Sequence, residues 1–221
     1  IYTLSLHDAL PISTFARWLG SQGVTAQTQV VAYDRNGANY CGRLWWMLKW
    51  CGHEAVAVLD GGWQAWQAAG GATAQGAEPA ATPATFELRE PLAKLVDTAT
   101  VLSGLGSARQ TVVDARGAPR YRGEVEPLDP IAGHIPGALN RPFTENIGAD
   151  GRFKPAEVLK DELTRLLGER DPATVVHQCG SGVSAVPNLL AMELAGLGRQ
   201  TLYAGSWSEW SNTPGVPVER G

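Results

Sequence analysis

The sequence predicts an α/β protein of two related domains, each a mainly parallel sheet flanked by helices, with the first domain shortened. Three observations carry this. The segment from Val30 (VVAYDRNGANYCGRLWWMLKWCGHEAVAVLDGGWQAW) aligns with the segment from Val175 (VVHQCGSGVSAVPNLLAMELAGLGRQTLYAGSWSEW) without a gap until a one-residue shift near their ends. Each copy reads as a short buried strand, a Gly-containing loop, an apolar helix, a second strand and a Gly-aromatic turn. Strands that alternate with helices pair in parallel through crossover helices. Between the copies, residues 70–86 (GGATAQGAEPAATPATF) are rich in Ala, Gly, Thr and Pro and lack apolar periodicity, as a linker does.

Taken in order, residues 1–13 (IYTLSLHDALPIS) have no Lys or Arg, and Asp8 interrupts their only apolar stretch. They lack the basic start and apolar core of an export signal and read as a leader foreign to the fold. The first domain is expected over 14–71, the linker over 72–86 and the second domain over 87–221. The first domain is short for its kind and is expected to lack its leading strand, so it needs cover from its neighbour. In the second, TVVDAR (111–116) reads as a buried strand and GHIPGALNRPF (133–143) as turn, short strand and turn. From Phe153 to Leu167, Val158, Leu159, Leu163, Leu166 and Leu167 recur at helical spacing, with Pro155 suited to a helix start. TVVHQ (174–178) is a further buried strand and runs into Cys179.

The chain has 221 residues, 44% of them hydrophobic and 18% charged, with net charge −4. This is the balance of a soluble globular protein. No apolar run approaches the ~20 residues of a membrane helix, and there is no basic field for nucleic acid. The missing export signal points to the cytoplasm. Three cysteines without a Cys-x-x-Cys pair make neither a disulfide framework nor a zinc site, so no metal or other cofactor is expected.

Cys179 opens the run CGSGVS between a strand and a helix, facing the usual ligand crevice of a parallel sheet. Gly180 and Gly182 let the backbone curl so that successive N–H groups, including those of Val183 and Ser184, converge on an anion. The helix that follows adds its positive end; Ser184 reads as its N-cap, and Pro187 fits its first turn. Such a cradle favours the thiolate, the nucleophilic form. The matching position of the first copy is Asp34, which cannot take up sulfur, so that copy is expected to be inactive. Cys41, Cys51, Trp45, Trp46 and Trp50 read as packing residues. His134 reads as a backbone-bonding turn residue and Asp114 and Arg116 as loop anchors; His177, two residues before Cys179 on the same strand face, reads as a core histidine, with tuning of the thiolate the alternative. A Cys-based phosphatase would need an Arg about six residues past the cysteine, where Ala185 stands; no Arg follows Cys179 before Arg199.

GHIPGA (133–138), CGSGVS (179–184), YAGSWSEW (203–210) and LDGGWQAW (59–66) together resemble the tandem rhodanese family of sulfurtransferases over about residues 14–221. The loop is similar to that of the family's 3-mercaptopyruvate branch; thiosulfate-using relatives carry basic residues just after the cysteine, and here there are none. The resemblance implies transfer of sulfane sulfur from 3-mercaptopyruvate through a Cys179 persulfide to cyanide or a thiol such as thioredoxin or glutathione. It implies that Ser181 activates the substrate thiol and that Arg120 binds the substrate carboxylate, with Arg122 the neighbouring alternative. Leu128 stands where some mercaptopyruvate enzymes carry a second arginine, and the family's first domain contributes an Asp and a His from a segment that would precede residue 14 and is expected to be missing here. Thiosulfate transfer and a sulfur-binding module without turnover are the competing readings.

Overall fold

The computed structural model describes residues 12–221. Most of the expected leader lies outside these residues. Its last two, Ile12 and Ser13, open helix α1 (Ile12–Ser21), which buries Phe15, Ala16 and Leu19 on one face. Ile12, Phe15, Ala16 and Leu19 stand at i, i+3, i+4 and i+7, an amphipathic spacing that carries the helix across the leader boundary expected after residue 13.

The first domain continues with β1 (Val30–Ala32), α2 (Cys41–Trp50), β2 (Val56–Val58) and α3 (Gly62–Ala68). Strands β1 and β2 pair in parallel, Val31 opposite Ala57. Residues 71–93 form neither helix nor strand, yet they are not free of the first domain. The Ala84 N–H donates to the Gly20 carbonyl at 2.8 Å, and Phe86 is buried with its ring 5.7 Å from that of His53.

The second domain runs β3 (Lys94–Val96), α4 (Thr98–Ser103), β4 (Thr111–Asp114), α5 (Ala118–Tyr121), β5 (Leu139–Asn140), α6 (Ala156–Leu167), β6 (Val175–Gln178), α7 (Val186–Leu194), β7 (Thr201–Tyr203) and α8 (Ser206–Asn212). The five strands form one parallel sheet in the order β3-β7-β6-β4-β5. Central strands β4 and β6, in register from Thr111 opposite Val175 to Asp114 opposite Gln178, are buried at every residue. Helices cover both faces, which is why these strands read as continuous apolar runs. Helix α6 begins at Ala156 with Pro155 as N-cap. Leu159, Leu163 and Leu167 face the core, whereas Val158 is exposed because it falls off that i, i+4, i+8 line.

One apolar cluster joins the two domains. Trp45, Trp46 and Leu48 of α2 pack with Val186, Leu189 and Leu190 of α7 and with Cys179 itself. Helix α2 is apolar nearly all round because its own strands cover one side and α7 the other. Polar contacts reinforce the junction: Asp60 accepts the Phe153 N–H at 2.8 Å, and the Lys49 carbonyl accepts the Leu92 N–H at 2.8 Å. The first domain thus has the cover that its two-stranded sheet requires.

Candidate active site

Strand β6 delivers Cys179 to the carboxyl edge of the sheet, only 2% exposed. Its backbone is fixed from the Gly-Ser-Trp turn after β7. The Cys179 N–H donates to Ser206 Oγ at 3.1 Å, and that hydroxyl donates to the Tyr203 carbonyl at 3.0 Å. The Trp207 and Ser208 N–H groups donate to the carbonyls of Cys179 and Gly180 at 3.0 and 2.8 Å. Ser206 holds φ = 57°, a region that non-glycine residues rarely occupy and that clusters at functional sites. Gly182, at φ = +74°, would drive a Cβ into the Ala204 carbonyl, so the loop closes only with glycine there.

The first copy shows what this loop is shaped to hold. Asp34 occupies the position of Cys179, and its carboxylate turns back into its own loop. It accepts N–H bonds from Asn36 and Ala38 through Oδ1 (2.9 and 3.1 Å) and from Tyr40 and Cys41 through Oδ2 (2.8 and 3.0 Å). Burial alone would raise its pKa, but these N–H groups outweigh burial and hold it below the ordinary value. Three of them match the N–H groups of Ser181, Val183 and Ala185 after Cys179. Those three make no hydrogen bond among the described residues. The first copy's cradle is filled by its own side chain; the second copy's is open to an anion borne on Cys179. The other shared features agree: Gly37 and Gly182 have φ of +64° and +74°, and Trp63 bonds the Asp34 carbonyl as Trp207 bonds that of Cys179.

The loop opens on a cavity of about 250 Å³ lined by Arg116, Arg120, Leu128, Phe143, Ser181 and Ser184 beside Cys179 and Gly180. Gly182 and Val183 do not line it; Gly182 sets the turn and Val183 offers its N–H. Ser184 faces the cavity and does not cap the helix: α7 begins at Val186 with Ala185 as N-cap, and Pro187 sits in its first turn. Arg120 donates to Glu126 through Nε and Nη2 (3.2 and 2.7 Å) and to Asp129 through Nη2 (3.1 Å). Its Nη1 would lie 3.3 Å from a Cβ on Gly180, which aims that nitrogen at the Cys179 loop. Arg122 instead pairs with Glu124 on the exposed surface. Arg116 is bound to Asp114 at 2.7 Å and to the Gly133 carbonyl at 2.7 Å, stacked against Trp207, and anchors the wall.

Other expectations resolve simply. His134 Nδ1 lies 2.8 Å from the Tyr121 carbonyl. His177 is fully buried against Met192 Sδ at 3.1 Å, and burial pushes its pKa down to about 3, so it is a neutral core residue. Burial pushes the Cys41 and Cys51 thiols up to about 12 and 11, as suits packing residues. Sequence reading missed Arg43, a buried α2 side chain whose Nη1 donates to the Gly182 carbonyl at 3.2 Å. It also missed Ser206, although the pairing of Gly62 with Ser206 in the repeat marks a position that demands positive φ.

Fold and loop together define a protein that presents a cysteine in a backbone anion cradle at the end of a parallel strand. Residues 2–69 and 97–213 match the family model for the rhodanese-like domain, and the chain belongs to that family. The match begins inside the segment that sequence reading set aside as a leader. The probable 3-mercaptopyruvate sulfurtransferase of Pseudomonas aeruginosa is 46% identical over 92% of this chain and 72% of the relative. The 3-mercaptopyruvate sulfurtransferase of Rattus norvegicus is 39% identical over 95% and 71%, and the thiosulfate sulfurtransferase of Gallus gallus 36% over 89% and 68%. Among solved structures, the anaerobic ergothioneine biosynthesis enzyme of Chlorobium limicola, in complex with trimethyl histidine, aligns with TM-score 0.83 at 27% identity, over 95% of this chain and 55% of its own. The chain therefore spans just over half of that structure. Within the family, this chain is a sulfurtransferase like its curated relatives. No helix among the described residues is long and apolar enough to cross a membrane.

Proposed function

We propose that this sulfurtransferase takes its sulfur from 3-mercaptopyruvate and carries it as a persulfide on Cys179. The observation that carries the reading is the open cradle of Ser181, Val183 and Ala185 N–H groups, whose counterparts hold a carboxylate in the first copy. In the first half-reaction the Cys179 thiolate attacks the substrate sulfur. The sulfur–sulfur bond forms, the carbon–sulfur bond breaks, and its electron pair leaves on the enolate of pyruvate. The proton of the substrate thiol ends on the pyruvate methyl group, passed by the Ser181 hydroxyl. In the second half-reaction an acceptor thiolate or cyanide attacks the outer sulfur and regenerates the Cys179 thiolate. Two-step covalent transfer of this kind gives ping-pong kinetics.

Arg120 binds the substrate carboxylate through the nitrogen aimed at Gly180. The absence of a cation at residues 180–184 supports a mono-anionic donor with a polarisable ketone over dianionic thiosulfate. Thiols of the thioredoxin or glutathione kind, in the cytoplasm, are the acceptors this reading names. Steady-state turnover with each donor, with cyanide as acceptor, tests it. A kcat/KM for 3-mercaptopyruvate well above that for thiosulfate is expected. The reverse order would transfer the donor assignment to thiosulfate, and folded protein without turnover on either would leave a sulfur-binding module.

A further inference from the structure

We infer that Arg43, contributed by the first domain, is the cation that sets the charge of the Cys179 loop, and is thereby a positioning residue for the nucleophile. The inference rests on the reading of Cys179 as a thiolate nucleophile. It gives the inactive first domain a part in the second domain's chemistry.

Arg43 is 4% exposed. Its Nη1 donates to the carbonyl of Gly182, within the cradle, and its guanidinium lies 5.4 Å from the Trp46 ring centre. Nε finds no partner, and no carboxylate of the described residues lies in ion-pair range. A buried cation without a counter-ion is costly, and natural structures pair such charges. Burial pushes the pKa of Arg43 down to about 10, and the negative charge that opposes this is that of Cys179.

The other charged groups around the loop have carboxylate partners. Arg116 holds Asp114 and Glu126, and Arg120, which faces the loop from the cavity side, holds Glu126 and Asp129. Asp34 is saturated by its own loop. His177, on the strand before the loop, is neutral, and Cys41 is a protonated thiol at neutral pH. Arg43 is therefore the uncommitted charge on the loop's inner side, and its counter-ion is the anion that forms on Cys179. The repeat supports a role particular to this copy: the matching residue of α7 is Asn188, which bonds the Arg141 carbonyl and Asn146.

The test compares the wild-type chain with Arg43→Met, Arg43→Gln and Arg43→Lys. Methionine fills the apolar slot over Trp46 and removes a buried charge, a change that cores tolerate. Glutamine keeps a donor for Gly182, and lysine keeps the charge. The readout is the rate of iodoacetamide alkylation of Cys179, resolved by peptide mass spectrometry and followed from pH 5 to pH 9, where Arg43 keeps its charge. An opposite charge at close range is worth a factor of about ten in the thiol–thiolate equilibrium. The rate profiles of the neutral variants are then displaced to higher pH by about one unit relative to wild type, with lysine close to wild type. Such a displacement along the pH axis separates a charge effect from a change in access, which scales the rate equally at every pH. Profiles that coincide, or that differ by one constant factor throughout, would overturn the inference. Alkylation needs no sulfur donor, so the result stands apart from turnover: displaced profiles without turnover would sink the donor assignment and keep the role of Arg43.

Discussion

Replacing Asp34 by Asn tests whether the loop after each first strand is an anion cradle. The carboxylate accepts N–H bonds from Asn36, Ala38, Tyr40 and Cys41. Hydrogen bonds to a charged group contribute about 1.5–3 kcal/mol each, and bonds sharing one acceptor group do not add fully. Asparagine keeps one acceptor oxygen and turns an NH₂ toward N–H groups that need acceptors, so the expected loss is about 3–4 kcal/mol at pH 7. With a urea slope of about 2–3 kcal/mol per molar, the unfolding midpoint, read by tryptophan fluorescence, moves down by about 1.5 M. Both domains share one apolar cluster, so the loss is felt by the whole transition. The pH dependence has a fixed sign. The folded-state pKa lies below the ordinary 3.8, so the contribution is fully present above that value and is lost as pH falls through the folded value. The gap between wild type and Asp34→Asn therefore narrows in acid. A gap under about 1 kcal/mol at pH 7, or one that does not change with pH, would refute the cradle reasoning.

Three further outcomes are expected. Gly182→Ala combines a positive φ with a collision against the Ala204 carbonyl; it destabilises by about 1–3 kcal/mol in urea unfolding and lowers kcat more than it raises KM. Arg120→Lys removes the planar fork but keeps a charge that Glu126 and Asp129 can claim, so KM for 3-mercaptopyruvate rises about tenfold or more with a smaller change in kcat. Asp114→Ala leaves Arg116, 4% exposed, without its bidentate partner; the thermal midpoint falls by the equivalent of about 3–5 kcal/mol and activity falls with it, as the cavity wall loosens.

Much of the architecture was legible because period and composition agree with it. Buried strands β4 and β6 announce themselves as TVVD and VVHQ, and α6 by leucines four residues apart. The loop from Cys179 to Ser184 was legible because glycine at Gly182 has one physical reading at a strand-to-helix turn. Elements β3 and α4 were not, since KLV and TATVLS are short and half exposed, and their order comes from pairing with β7. The N-cap expected at Ser184 failed because the loop takes one residue more before the helix begins, which turns Ser184 to the cavity instead. Arg43 was illegible for another reason. Nothing inside CGRLWWMLKW singles it out, and only the docking of α2 on α7 buries it against the loop of the other domain. The filled cradle of Asp34 was half legible: the repeat placed Asp34 opposite Cys179 but said nothing of where its carboxylate turns.

The central claim is that Cys179 accepts a sulfur atom and holds it in the open cradle. The most direct measurement is one turnover of the wild-type chain with 3-mercaptopyruvate and no acceptor, followed by peptide-resolved mass spectrometry and pyruvate assay. The account predicts that the Cys179 peptide becomes heavier by one sulfur atom, that pyruvate appears in equal amount, and that cyanide removes the added sulfur. Cys179→Ser should do none of this. Pyruvate released with no sulfur on Cys179, or released equally by Cys179→Ser, would contradict it.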